Sequence, residues 1–159
     1  SGKAVTVIKP LQTAAQALNA GEAFTIFTAG SIEMGKAEDW QAVLTESLEL
    51  YQLGRANAGA YVRPITVCNP RRDDWSTEWN ETKFHPLLNQ QIKWELENLE
   101  LADFIALHFE PDTISPISLL EMGLFARSGK LVVHCPEDYF RVENVIITCE
   151  QYNVPVVHS

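Results

Sequence analysis

Short apolar runs alternate with stretches of helical periodicity along this chain, and that alternation is the tightest constraint on how it folds. Phe24 to Thr28 is an apolar, strand-forming run that leads directly into Ala29-Gly30-Ser31, a tight turn. From Asp39 to Tyr51 the apolar residues Trp40, Val43, Leu44, Leu48 and Tyr51 recur at helical spacing, and Gly54 is expected to stop that helix. Tyr61 to Cys68 reads as the next strand, with Pro64 predicting an edge position or an irregular start. A polar segment runs from Asn69 to His85. Pro86 then opens a helix reaching Leu101, with Leu88, Ile92, Leu96 and Leu99 on one face.

Phe104 to Phe109 is a continuous apolar strand, the kind covered on both faces of a sheet. Ser115-Pro116 begins a helix to about Ser128, with Ser115 expected to cap its free amides and Pro116 in the first helical position. Leu131 to Cys135 is a fourth strand, Glu143 to Tyr152 a further helix, and Val154 to Val157 a last short strand. Strands alternating with helices predict an α/β fold: an open, doubly wound, mostly parallel sheet with helices on both faces and right-handed crossovers. Ligands bind such folds beyond the carboxyl ends of the strands, which would gather Gly30, Ser31, Asn69 and the segment from Glu110 to Ser115.

The chain has 159 residues, enough for one core, so a single domain over 1–159 is expected, with 1–23 as an N-terminal extension packed on or beside it. A net charge of −9 disfavours nucleic-acid binding, which needs a basic patch. Cys68, Cys135 and Cys149 lack metal or redox spacing and read as reduced core residues, and the four histidines form no ligand motif. No apolar run approaches the roughly 20 residues of a membrane span, and there is no leader-like start, so the expected setting is cytoplasmic, without membrane or metal.

Glu121 lies in Ser-Pro-Ile-Ser-Leu-Leu-Glu-Met-Gly among large apolar neighbours. A carboxylate held in such a pocket can attack an electrophilic sugar carbon, whereas the plainer reading is a helix-start glutamate favoured by the helix dipole. Asp103 precedes the strand Phe-Ile-Ala-Leu-His-Phe and either faces the ligand crevice or ends a turn. Together the two acids suit the paired-carboxylate logic of glycosidic cleavage. Asn69-Pro70-Arg71-Arg72-Asp73-Asp74-Trp75 concentrates guanidiniums, carboxylates and an indole that can hold a phosphate and stack on a base, or simply pair among themselves. Ala29-Gly30-Ser31 allows close backbone approach and a hydroxyl contact, though ordinary turning also explains it.

Phe-Thr-Ala-Gly-Ser-Ile at 27–32, Asn-Pro-Arg-Arg-Asp-Asp-Trp at 69–75 and the segment 115–123, in that order, with Ala102-Asp103, Gly129-Lys130 and Asn144-Val145, resemble the nucleoside 2-deoxyribosyltransferase-like family. The resemblance implies a Rossmann- or flavodoxin-like sheet. It makes Glu121 the nucleophile that attacks the anomeric carbon, and Asp103 a residue that positions the sugar or manages a proton. It places Phe27, Ala29, Gly30, Ser31, Asn69, Arg71, Asp74, Trp75, Ser115 and Met122 at a nucleoside or nucleotide. It requires no cofactor, and it implies a homodimer or larger homo-oligomer in which Asn144 is presented near a shared site.

Two departures matter. Phe27 stands where members of that family often carry tyrosine, and Ser115 where transferases carry aspartate and nucleotide-hydrolysing relatives serine. The expected reaction is therefore 2-deoxyribosyl transfer between bases through a glutamyl-sugar intermediate. Hydrolysis of a nucleoside 5′-monophosphate and a non-catalytic nucleotide-binding module are the alternatives.

Overall fold

A computed structural model describes residues 4–13, 21–32, 38–74, 78–81 and 83–158. Six parallel strands form one sheet, in the order β1-β3-β2-β4-β5-β6. They are β1 (Val5–Ile8), β2 (Phe24–Gly30), β3 (Ile65–Cys68), β4 (Phe104–His108), β5 (Leu131–His134) and β6 (Val156–Val157). Helices α1 (Trp40–Asn57), α3 (Pro86–Leu101), α4 (Pro116–Phe125) and α5 (Val142–Gln151) connect them, and the one-turn α2 (Glu78–Glu81) lies in the polar segment before α3. The expected doubly wound α/β architecture is the one observed.

The two faces of the sheet are clad differently. One carries the main core, where Phe27, Ile105, Leu107 and Val133 meet Trp94 and Leu99 of α3, Phe125 of α4, and Val145 and Cys149 of α5. The other holds a smaller cluster of Val5, Ile26, Ile65 and Val67, against which Leu48 of α1 packs. Burial along β4 accordingly alternates, with Ile105 and Leu107 buried and Phe104, Ala106 and His108 only partly so, rather than being continuous. On that thinner side the rings of His108 and His134 stack at 4.5 Å, and Trp40 lies 4.8 Å from His108.

Several sequence expectations shift. Val5–Ile8, read as part of an extension, is an edge strand paired in register with β3. The strand after Pro64 is therefore interior, between β1 and β2. The proline is accommodated because it precedes the ladder, where its carbonyl accepts Phe24 N at 2.7 Å. Gly54 does not stop α1, whose amide ladder continues to Asn57. The buried line of α1 runs through Gln41 and Gln52, while Val43 and Tyr51 are 57% and 59% exposed. Buried glutamine is tolerated because Gln52 Nε2 donates to Arg63 O at 2.6 Å.

Helix ends explain the remaining order. Asp39 caps α1 by accepting Ala42 N at 3.1 Å, and His85 Nδ1 accepts Leu87 N at 3.2 Å beside Pro86. At the far end of α3, Lys130 Nζ donates to the carbonyls of Leu99, Glu100 and Ala102, placing a cation on the negative helix terminus. All three cysteines are buried and free, as expected of core residues.

Candidate active site

From the carboxyl end of β2 the chain leaves through α1 toward β3, and from that of adjacent β4 it leaves through α4 toward β5. Such a reversal opens a crevice between strand ends. A cavity of about 480 Å³ lies there, between α3 and α4.

Its floor is the end of β2. Gly30 has φ 135°, and a Cβ there would lie 2.1 Å from His108 O, so only glycine fits. Ser31 N continues the ladder to His108 O at 2.9 Å. Its hydroxyl meets Ser115 Oγ at 2.5 Å and Thr113 Oγ1 at 3.0 Å, and those two lie 2.7 Å apart. Glu110 N donates to Ser31 Oγ at 3.0 Å. This cluster is why Ser115 does not perform the capping expected of it. Its backbone is left-handed (φ 48°, ψ 53°), and its side chain makes no cap bond.

The walls come from two helices. Glu121, the sixth residue of α4 rather than a helix-start residue, is buried at 9% exposure, and its Oε2 has no hydrogen-bond partner among the described residues. Burial and then the charge of Glu95 raise its pKa to about 8. Glu95 on α3 lines the same cavity, and burial raises it to about 7 against the opposing hydrogen bond from Gln91. Two carboxyls so placed resist ionising together, so they share a proton more readily than they lose both. Glu95 was absent from the sequence reading. Its signal was a lone acid on the Leu88-Ile92-Leu99 face of α3, where a solvated glutamate does not belong.

Of the two guanidiniums read in the 69–75 segment, it is Arg72 that reaches the cavity rather than Arg71. Asp74 clamps it from Nε at 2.8 Å and Nη2 at 2.7 Å, and its guanidinium lies 4.8 Å from the centre of the Trp79 ring. Arg72 Nη1 donates to Gln91 Oε1 at 3.4 Å. Gln91 Nε2 in turn donates to Pro70 O at 3.2 Å and Glu95 Oε1 at 3.0 Å.

Of the residues named from sequence, Ala29, Gly30, Ser31, Ser115 and Glu121 come together around this cavity. Asp103 does not. It precedes β4, at the opposite end of the sheet, and its Oδ2 accepts Thr25 N at 2.8 Å, which is the turn-closing alternative. Phe27 is fully buried 6.0 Å from the Trp94 ring, and Met122 belongs to the core. Asn69 Oδ1 accepts Arg71 N at 2.9 Å, and Arg71 turns toward α1, donating to Glu38 O at 2.8 Å and lying 3.5 Å from Asp39. Asp74 acts through Arg72, and Asn144 is exposed on α5. Trp75 lies outside the described residues. Among the described residues, no cluster of histidine, cysteine and carboxylate is arranged to hold a metal, and no helix is long and apolar enough to cross a membrane.

A parallel α/β sheet with two buried carboxyls lining its switch-point crevice defines a class of small-molecule site. The family model for proteins described as nucleoside 2-deoxyribosyltransferase like matches residues 23–139, a span that includes the floor, both carboxyls and the hydroxyl cluster. The chain belongs to that family. No curated protein matches it.

Proposed function

We propose that this protein cleaves the N-glycosidic bond of a nucleoside and passes the 2-deoxyribosyl group to a second base through a covalent intermediate on Glu121. The observation that carries this reading is the pair of Glu121 and Glu95 on opposite helices of one cavity. A sugar hydroxyl donating to the free oxygen of Glu121 favours its ionised form and shifts the shared proton to Glu95. The Glu121 carboxylate then bonds to C1′ as the C1′–N bond breaks. The bonding pair leaves with the base nitrogen, and Glu95 supplies the proton. A second base attacks C1′ from the vacated side, returns its proton to Glu95 and releases Glu121 as carboxylate.

One observation favours a second reading. Ser31, Thr113 and Ser115 cluster their hydroxyls at the N-terminus of α4, an arrangement able to hold a 5′-phosphate, with water as acceptor in place of a base. Product analysis separates the two, using nucleosides and their 5′-monophosphates with and without a second free base. Base exchange lost in Glu121→Ala supports transfer, and acceptor-independent release of free base supports hydrolysis. Saturable binding without turnover in the wild type would leave a binding module.

Ile92, Leu96, Ile117, Leu120 and Leu124 line the cavity and expose between 41% and 57% of their surface, an apolar rim continuous with the site. We assign that rim to a second copy of the chain, in keeping with the shared pocket that the family resemblance implies. A homodimer in solution, lost together with turnover in Leu120→Asp, is the expected result, and a monomeric active wild type overturns it.

A further inference from the structure

Gln91 is a buried glutamine at the bottom of the α3 wall, and each of its amide atoms has a defined partner. Nε2 faces two acceptors, Pro70 O at 3.2 Å and Glu95 Oε1 at 3.0 Å, while Oε1 faces the donor Arg72 Nη1 at 3.4 Å. Turning the amide over would set oxygen against Pro70 O and place its two donors at a guanidinium that can only donate, so one orientation alone satisfies all three contacts. Arg72 is itself immobilised by its two-pronged contact with Asp74 and by the Trp79 ring.

We infer that Gln91 is a positioning residue for Glu95: held by Pro70 and Arg72, it donates to Oε1 in either protonation state, so the proton Glu95 exchanges travels on Oε2 alone. An oxygen that already accepts a short amide hydrogen bond is the poorer place for a proton, which leaves the other oxygen as the donor and acceptor toward the cavity. The inference rests on the reading of Glu95 as the acid–base partner of Glu121 and adds the machinery that gives it direction.

Gln91 also separates the two carboxyls. Among the described residues, the charged side chains lining the cavity are Arg72, Glu95 and Glu121, with Asp74 behind Arg72. Glu95 receives a side-chain donor that favours its charged form, whereas Oε2 of Glu121 has no partner among the described residues. Between the two, the shared proton therefore rests on Glu121, and Glu121 releases it when a substrate hydroxyl supplies the donor that Glu95 already has.

The test is a carboxyl titration by NMR with labelled glutamate side chains, the two resonances being assigned with Glu95→Gln and Glu121→Gln. In Gln91→Met, which keeps the shape and removes the amide, the acid dissociation constant of Glu95 is expected to fall about tenfold. That of Glu121 should rise in compensation, because its neighbour then stays neutral to higher pH. An unchanged Glu95 midpoint in folded Gln91→Met overturns the inference. In the wild-type protein, the side-chain amide signal of Gln91 should titrate with Glu95 and stop doing so in Glu95→Gln. A pH-invariant amide overturns the inference even where Gln91→Met does not fold. None of these readouts needs turnover. A chain that cleaves no nucleoside yet shows both shifts loses the proposed function and keeps this arrangement, and cleavage with an unshifted Glu95 does the reverse.

Discussion

Glu95 on α3 raises the proton affinity of Glu121 on α4, and the two carboxyls face one cavity from opposite helices. Removing the charge of Glu95 should therefore make Glu121 ionise more readily. In Glu95→Gln the Glu121 midpoint is expected to move down from about 8 and yet stay above the ordinary 4.5, because burial, the larger cause, remains. A carboxyl-resolved titration checks this, and a midpoint left at about 8 would mean that the two groups do not sense each other.

The same variant tests the acid. Loss of a positioned proton donor typically costs about 10²–10⁴ in rate, but only where the leaving group needs the proton. Glu95→Gln should lose that factor on ordinary purine nucleosides and remain within about threefold of wild type on N7-methylated ones, whose base already leaves as a neutral molecule. Equal losses on both would remove Glu95 from proton transfer.

Stability should fall with rising pH in the range where Glu121 titrates. Its folded pKa, about 8, exceeds the unfolded value, so the native state binds the proton more tightly. The resulting stabilisation is fully present below the unfolded pKa, declines as pH rises above it and is gone above about 8. Thermal unfolding followed from pH 5 to pH 9 should show this decline in the wild type and a flatter curve in Glu121→Gln.

Ser115→Ala and Thr113→Val probe the hydroxyl cluster. If it holds a 5′-phosphate, kcat/KM for monophosphates drops about tenfold or more while that for nucleosides changes little, since each lost hydrogen bond to a charged group costs about 1.5–3 kcal/mol. Matched losses on both substrate types would assign the cluster to shaping the start of α4 instead.

Gly30→Ala should be among the most damaging single changes outside the carboxyl pair. The added methyl meets His108 O at 2.1 Å, on a backbone with φ 135°. Strain of this kind costs roughly 1–3 kcal/mol before the clash is counted, and each kcal/mol lowers the melting temperature of a chain this size by about 2–4 °C. A melting temperature within 2 °C of wild type would contradict the close strand approach.

What was legible in the sequence was whatever repeats locally. Pro86 and Leu101 bound α3 as read, because a proline start and helical spacing act within a few residues. Glu121 stood out for its apolar neighbours, and it does line the cavity. What was not legible depends on partners far along the chain. Asp103 looks like a crevice acid until β2 and β4 pair and bring Thr25 N to it. Arg71 and Arg72 are equivalent on paper, and only the approach of α1 on one side and α3 on the other sends one to Glu38 and the other to Gln91. The burial of Gln41 and Gln52 likewise depends on Arg71 and Arg63, which lie on other segments.

The thinly clad half of the sheet also has a bearing on how the protein behaves in concentrated solution. Along the flank of α1, Ala106, Val132 and Val157 form an apolar strip that His108 and His134 interrupt. Their imidazoles stack flat on one another, filling space as hydrocarbon would, with His108 Nε2 held by Glu110 Oε1 at 2.7 Å and His134 Nδ1 buried. Leucines at both positions would fill the same space, at the expense of joining the strip into an adhesive ribbon beside a short edge strand. Colloidal dispersal on this side thus depends on two rings, whereas on the opposite side it would fall to the proposed second copy to cover the apolar rim.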